Sequence, residues 1–128
     1  MRLLLDTHAL IWWLLGDSAL SAAAKASITD DDNEVLVSAA SAWEISTKYR
    51  IGKLPKVAFF ATDIAGAVAS QGFGELPVTV RDAERAGLLP GPHRDPFDRM
   101  LIAQALALNL GLVSNETTFD RYGVHRIW

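Results

Sequence analysis

Short apolar runs alternate along this chain with longer apolar stretches that have helical spacing. The short runs predict strands, because a brief continuous apolar run is typical of a strand buried on both faces of a parallel sheet. The predicted strands are Leu3–Leu5, Glu34–Val37, Leu76–Val78 and Leu112–Ser114, with Val124–Ile127 as a fifth.

Between these runs the apolar spacing is that of helices. The predicted helices are Thr7–Leu15, Ser18–Thr29, Ala39–Tyr49, Phe59–Ser70, Val80–Ala86 and a long apolar helix that begins near Pro96. Gly16 and Gly111 are the expected caps of the first and last helices, and Thr79 is the expected N-cap of the fifth. This alternation predicts an α/β, three-layer fold, with a central, mostly parallel sheet of four to five strands flanked by helices on both faces.

Composition narrows the class of protein. The 128 residues, half of them hydrophobic, suit a single domain over 1–128 with a sizeable core. Cysteine is absent and the three histidines are scattered, which excludes a disulfide framework and thiolate zinc sites. The net charge of −3 argues against binding nucleic acid through bulk charge, although local basic groups still set a footprint. Asp6 and His8 interrupt the apolar N-terminus, so we expect a cytoplasmic protein without a signal peptide or membrane span.

The segment His93–Ala103 places two carboxylates at the start of an otherwise apolar helix. Asp95 suits the N-cap position, Pro96 suits the first helical position, and Asp98 then falls in the first turn. Capping alone is a sufficient explanation for acids at such a position, where the helix dipole favours negative charge. An acid beside an apolar helix nevertheless costs free energy unless donors or a cation compensate its charge.

Acidic residues from other segments are expected at the same edge of the sheet. Asp6 follows the first strand, Glu44 lies early in the helix after the second strand, and Glu116 lies two residues past the fourth. Because the carboxyl ends of parallel strands share one edge, these residues and Asp98 should converge there. A divalent cation relieves repulsion among carboxylates, and oxygen-only ligands select Mg²⁺ or Mn²⁺ over zinc.

Each of these acids also has a purely structural interpretation. Asp6 suits the N-cap of the first helix, and Glu116 suits a polar turn. Glu44 suits a capping box with Ser41 or an ion pair with Lys48 four residues later. These interpretations leave unexplained why all the acids should share one edge.

Four blocks of sequence carry a resemblance to a known family. They are Asp6–Leu14, Ser38–Ile45, Leu89–Ala105 and Leu112–Phe119. In this order they resemble the PIN-domain ribonucleases, specifically the VapC-type toxins of bacterial toxin–antitoxin pairs, over nearly the whole chain. The resemblance implies a PIN-like fold and Mg²⁺-dependent cleavage of RNA. It implies that Asp6, Glu44 and Asp98 are catalytic metal ligands and that Glu116 stands at a fourth acidic position, where aspartate is more usual.

The resemblance also implies further site residues and partners. Ser114 stands where the family often has a small hydroxyl residue near the metal or the scissile phosphate, and Asp95 is an auxiliary ligand if it is more than an N-cap. His93, Arg94 and Arg99 are candidate contacts to RNA phosphates, with solvated helix faces, or an ion pair for Arg99, as the alternatives. Toxins of this family commonly form homodimers and are silenced by a cognate antitoxin that covers the acidic groove.

Three other functions fit parts of the pattern. A receiver-like phosphoacceptor domain has a similar fold and an acidic Mg²⁺ pocket, but it needs an aspartate after the third strand, and here that strand ends Leu76–Thr79 without an acid. It also needs a lysine after the last strand, which here carries His125 and Arg126. A haloacid-dehalogenase-type phosphatase needs a second aspartate two residues after the first, and His8 occupies that position. A PIN-fold binding module without catalysis is the third alternative, which the glutamate at Glu116 leaves open.

Overall fold

Five parallel strands form the centre of the molecule. The structure is a computed structural model that describes residues 1–128. The strands are β1 (Arg2–Leu5), β2 (Glu34–Ser38), β3 (Gly74–Leu76), β4 (Gly111–Val113) and β5 (His125–Ile127). They lie in the order β3-β2-β1-β4-β5, and every neighbouring pair is parallel. The expected α/β fold is therefore confirmed, with five strands and a sheet that is entirely parallel.

Helices connect the strands as parallel pairing requires. They are α1 (Thr7–Leu15), α2 (Ala22–Thr29), α3 (Ala39–Arg50), α4 (Ile64–Ser70), α5 (Val80–Leu88) and α6 (Pro96–Leu108), with 3₁₀ helices at Pro55–Val57 and Thr117–Tyr122. None of these helices combines the length and the apolar composition that crossing a membrane requires.

The three central strands, β2, β1 and β4, are buried on both faces, and their side chains alternate between two cores. Leu3 and Leu5 of β1 belong to the larger core, which includes residues of α1, α2, α3 and α4. Leu4 belongs to the smaller core with Leu101 and Ile102 of α6. Since the two cores lie on opposite faces of β1, the molecule has the three layers that the sequence predicted.

Two helix starts differ from the prediction. The helix expected over Phe59–Ser70 begins only at Ile64, because Asp63 accepts a hydrogen bond from the Gly66 amide and acts as the N-cap. The helix expected from Ser18 begins at Ala22, one residue after Ser21, whose hydroxyl accepts from the Ala24 amide. In both cases a capping side chain inside the predicted range sets the boundary.

The end of α6 also differs from the prediction. Asn109, with φ of +53°, is the left-handed cap of this helix, and Gly111 is instead the first residue of β4. A Cβ atom at Gly111 would lie 2.9 Å from Cδ1 of Ile127, so glycine allows β4 and β5 to approach. The third strand ends at Leu76, two residues earlier than predicted, before Pro77, which has no amide hydrogen for a sheet ladder.

The connections from β1 and β4 run toward opposite edges of the sheet. β1 continues to β2 on one side, while β4 continues to β5 on the other, so a crevice is expected at the carboxyl ends of these two adjacent strands. Leu5 pairs with Val113, which places the next residues, Asp6 and Ser114, side by side at this crevice.

Candidate functional site

Asp6 lies at the centre of the carboxyl edge of the sheet and is 3% exposed. Its Oδ1 accepts a 2.7 Å hydrogen bond from the Ala9 amide, so it is the N-cap of α1, as the structural interpretation predicted. The hydroxyl of Ser114 lowers the pKa of this carboxyl, and the same oxygen accepts a 3.0 Å hydrogen bond from the Glu116 amide. Burial raises the pKa of Asp6 above its ordinary value despite the Ser114 and Ala9 donors, and the charge of Glu116 adds to the rise.

Glu44 lies on the buried face of α3 and is also 3% exposed. Its Oε1 accepts a 2.6 Å hydrogen bond from the hydroxyl of Thr7, and its Oε2 forms an ion pair with Lys48. The capping box that the sequence allowed with Ser41 is absent, because α3 begins earlier and Ser38 is its N-cap. The ion-pair alternative is the one that the structure shows.

Asp98 lies in the first turn of α6. Asp95 is the N-cap of this helix, since its Oδ1 accepts hydrogen bonds from the amides of Phe97 and Asp98. The Asp98 carboxylate lies 2.9 Å from Nε2 of His93. Burial raises the pKa of Asp98 to about 6, and the charges of Asp95 and Glu44 also raise it, against the opposing effect of His93.

Arg99 forms hydrogen bonds to the backbone near the loop before α6 and does not pair with an acid. Its guanidinium donates hydrogen bonds to the backbone carbonyl oxygens of Ala86, Leu89 and His93. The chain's three salt bridges do not include it, so the ion pair that was the alternative to an RNA contact for Arg99 does not form. These contacts make Arg99 a structural residue, because three of its donors are already occupied by the backbone. Arg94 is exposed and remains available to a ligand.

The same loop packs on the 3₁₀ helix Thr117–Tyr122. The Tyr122 hydroxyl accepts a 3.0 Å hydrogen bond from the His93 amide. Gly91 has φ of +108°, and a Cβ atom there would lie 2.6 Å from the Tyr122 hydroxyl oxygen, so the position requires glycine. The contacts of Arg99 and Tyr122 therefore fix the conformation of the loop, and they hold His93 beside Asp98.

Sequence analysis missed a buried polar network beneath the site. The Ser38 hydroxyl donates a 2.7 Å hydrogen bond to Oε1 of Gln104, a side chain with no exposed surface. The amide of Gln104 donates to the Pro77 carbonyl and to Asp82. This network joins the end of β2 to α5 and α6 and so sets how α6 sits against the sheet. The one sequence signal was a glutamine inside an otherwise apolar helix.

The spacing of Lys48 from Glu44 predicted an ion pair as one structural role for Glu44, but not a place for Lys48 in the site. Its ammonium contacts the buried Glu44 carboxylate and lies 6.0 Å from the centre of the Phe97 ring. Partial burial lowers the pKa of Lys48, but the hydrogen bond to Glu44 and the charges of Glu44, Asp95 and Asp98 outweigh that and raise it. Lys48 is thus the basic residue closest to this group of acids.

The acids form a continuous strip rather than a closed cluster. Asp6 interacts electrostatically with Glu116, and Glu44 with Asp98. Thr7, the residue after Asp6, joins the two pairs through its hydrogen bond to Glu44. No three carboxylate or imidazole groups surround one point closely enough to hold an ion in this arrangement.

The residues of the strip nevertheless suit a hard divalent cation. All the donors are carboxylate or hydroxyl oxygens, which Mg²⁺ and Mn²⁺ prefer. Asp6 is buried, forms no salt bridge and has a raised pKa, so its charged form lacks the compensation that a cation would supply. The chemistry of these donors therefore fits a hard divalent cation.

The comparison with protein families identifies a domain. A sequence model described as the PIN domain matches residues 3–124. No curated protein sequence matches the chain at a significant level.

The fold is similar to several solved structures. VapBC2 from Rickettsia felis, bound to a DNA fragment from its promoter, has a TM-score of 0.66 at 16% identity, with 95% of this chain and 93% of that chain covered. VapBC-1 from nontypeable Haemophilus influenzae has a TM-score of 0.66 at 14% identity, with 98% and 96% covered. A toxin–antitoxin complex from Klebsiella pneumoniae has a TM-score of 0.58 at 19% identity, with 90% and 87% covered.

Proposed function

The chain belongs to the PIN domain family, and from that membership we propose that it is a metal-dependent endoribonuclease and the toxin of a toxin–antitoxin pair. The observation that carries the proposal is the acidic strip at the crevice between β1 and β4. It includes Asp6 and Glu44, two carboxylates that are almost fully buried. Burying a charged group costs free energy unless an ion or hydrogen bonds compensate its charge. A crevice at a topological switch point is where α/β proteins bind ligands.

Asp6, Glu44, Asp98 and Glu116 are the proposed ligands of Mg²⁺ or Mn²⁺ and the catalytic residues. When bound, such a cation makes water nucleophilic near neutral pH and shields the charge that develops on a phosphodiester. Glu116 is exposed, and its charge acts on Asp6.

The surrounding residues orient these acids. Ser114 and the Ala9 amide hold the carboxylate of Asp6, while Thr7 holds one oxygen of Glu44. The helix start at Asp95 fixes the backbone of Asp98. Nε2 of His93 lies 2.9 Å from the Asp98 carboxylate and so helps to orient it.

The proposed partners are RNA, a cognate antitoxin and a second copy of the chain. Arg94, which is exposed at the start of α6, is the strongest candidate for a phosphate contact, with His93 beside it. The antitoxin is supported by the fold likeness to chains found in toxin–antitoxin complexes. A homodimer is proposed because exposed apolar side chains, among them Val80 and Leu88 on α5, need cover.

Cleavage of labelled RNA with Mg²⁺ and with EDTA tests the enzymatic proposal. We expect Mg²⁺-dependent products from the parent chain and losses of at least about a hundredfold in rate for Asp6→Asn and Asp98→Asn. Asp31→Asn removes an exposed acid in the turn before β2, at the opposite end of this strand from the acidic strip. It is the matched control and should cleave normally. RNA binding by the parent without cleavage under any divalent metal would instead favour the non-catalytic binding module.

A further inference from the structure

A cavity of about 490 Å³ opens beside the acidic strip, between α3, α5 and α6. Its walls are almost wholly apolar and include Trp43, Val78, Phe97 and Met100. Apart from the indole N–H of Trp43, only Arg99 brings hydrogen-bonding side-chain groups, and three of its donors are taken by backbone carbonyls. The cavity therefore offers flat apolar contact and very little hydrogen-bond recognition.

Two aromatic rings form the side of this cavity nearest the acids. Trp43 and Phe97 contact each other edge to face, with ring centres 5.3 Å apart and planes at 76°. Trp43 directly precedes Glu44 and Phe97 directly precedes Asp98. The indole is 69% exposed although it is one of the largest apolar side chains of the molecule. An exposed ring beside two functional acids requires an explanation other than core packing.

The charge at the edge of the cavity favours one class of occupant. The Lys48 ammonium lies 6.0 Å from the Phe97 ring centre and pairs with Glu44, so it stands between the aromatic wall and the acidic strip. A nucleotide has the matching chemistry, because its base is flat and apolar on its faces and its phosphate is anionic. An apolar protein segment would match the cavity but has no anionic group to interact with the ammonium.

We propose that this cavity is a base-stacking subsite, in which Trp43 and Phe97 hold the base of a nucleotide adjacent to the phosphate at the acidic strip. The inference rests on the proposed function, since it places RNA at the strip. With so few groups to read base edges, the subsite accepts any base and favours purines, which stack over a larger area. Trp43 and Phe97 are thus binding residues, and the acids remain the catalytic ones.

The test is a set of binding measurements with short labelled RNAs on an Asp98→Asn background, which prevents cleavage during the titration. The RNAs are an intact oligonucleotide and variants that each carry one abasic position. Trp43→Ala should weaken the binding of the intact RNA by about five- to a hundredfold, which is the range for one stacked base. The RNA that lacks the base held in the cavity should already bind weakly to the Asp98→Asn chain. Adding Trp43→Ala should not lower the affinity for this RNA further.

Two control variants sharpen this result. Trp43→Phe should recover most of the affinity, because it retains an aromatic face. Phe59→Ala removes a similarly exposed aromatic side chain that does not line the cavity, and it should leave the affinity unchanged. Equal losses for all RNAs with Trp43→Ala, or none, would overturn the proposal. A change in sedimentation coefficient with unchanged RNA affinity would overturn it too and identify the cavity as a protein interface.

The outcomes separate this proposal from the enzymatic one. Selective loss at one abasic position, with no cleavage by the parent chain, keeps the subsite and rejects the nuclease. Normal Mg²⁺-dependent cleavage of every abasic RNA keeps the nuclease and rejects the subsite. If the chain binds no RNA at all, both proposals fail.

Discussion

The hydroxyl of Thr7 donates a 2.6 Å hydrogen bond to Oε1 of Glu44, in a buried contact that joins α1 to α3. The contact matters because Thr7 directly follows Asp6, so one residue links the positions of two proposed metal ligands. Glu44 is 3% exposed and has Lys48 as its one ion-pair partner. The Thr7 hydroxyl therefore supplies part of the solvation that this carboxylate lost on burial.

Thr7→Val keeps the shape of the side chain and removes the donor. We expect the free energy of unfolding to fall by about 1–3 kcal/mol, because a buried charged acceptor loses a hydrogen bond. Urea unfolding of the parent and variant measures the difference, and RNA cleavage should fall with it. Thr7→Ser, which keeps a hydroxyl, should lose much less of both. Equal stability of Thr7→Val and Thr7→Ser would show that the contact contributes nothing.

Stability should fall as pH rises from about 4 to 6 in the absence of divalent cations. The pKa of Asp98 is about 6 in the folded chain, against an ordinary value of 3.8, so the folded state binds the proton more tightly across this window. Asp6, whose pKa is also raised, acts in the same direction. The contribution of these groups to stability is greatest below the window, where both states are protonated.

Asp98→Asn should remove much of this slope. Because Asp98 is partly exposed, the variant should gain about 1–2 kcal/mol at pH 7, less than the full shift implies. Chemical unfolding at several pH values in EDTA measures both quantities. A parent chain that becomes more stable between pH 4 and 6 would contradict the assignment of a raised pKa.

Lys48→Met should destabilise the chain by about 1–3 kcal/mol in EDTA, because Glu44 is left charged and buried without its cation. The half-buried position of Lys48 keeps the loss below that of a fully buried pair. We expect added Mg²⁺ to restore much of the lost stability, since a divalent cation then compensates Glu44. Lys48→Arg, which keeps the charge, is the control. A deficit that Mg²⁺ leaves unchanged would indicate that no cation reaches Glu44.

Arg94 and Arg99 should behave differently toward RNA. Arg94→Ala should reduce the slope of log affinity against log salt concentration by about one, as expected for a lost phosphate contact. Arg99→Lys should leave that slope unchanged and lower the stability by about 2 kcal/mol, because an ammonium cannot reach three carbonyl oxygens at once. A reduced salt slope for Arg99→Lys would return Arg99 to the RNA-binding surface.

The architecture could be predicted from local sequence patterns. Apolar runs such as Leu3–Leu5 indicate two-sided burial, and the alternation of strands with helices then leaves a parallel sheet as the simplest arrangement. Helix boundaries were less predictable where several residues could cap. Asp63, rather than an earlier residue, caps α4, and Ser38, rather than Ser41, caps α3. The choice between such residues depends on packing against the sheet, which no local pattern contains.

The acidic edge was predictable in outline but not in its contacts. Asp6 follows a predicted strand and Asp98 lies at a predicted helix start, so both could be assigned to one edge of the sheet from the amino-acid sequence alone. Some partners of these acids lie in distant segments, as Thr7 does for Glu44. Others are brought close by the conformation of a loop, as His93 is to Asp98. Sequence spacing does not encode such contacts, and the network of Gln104 was missed for the same reason.

The most direct test of the central claim is a titration of the chain with Mn²⁺, followed by electron paramagnetic resonance of the free ion. The parent chain should remove Mn²⁺ from solution, with Asp31→Asn behaving like the parent. Asp6→Asn and Asp98→Asn should each weaken this binding by at least about tenfold, since each removes a charged oxygen ligand. Binding that survives both substitutions unchanged, or a parent chain that binds no Mn²⁺, would contradict the proposal that this acidic strip holds a catalytic cation.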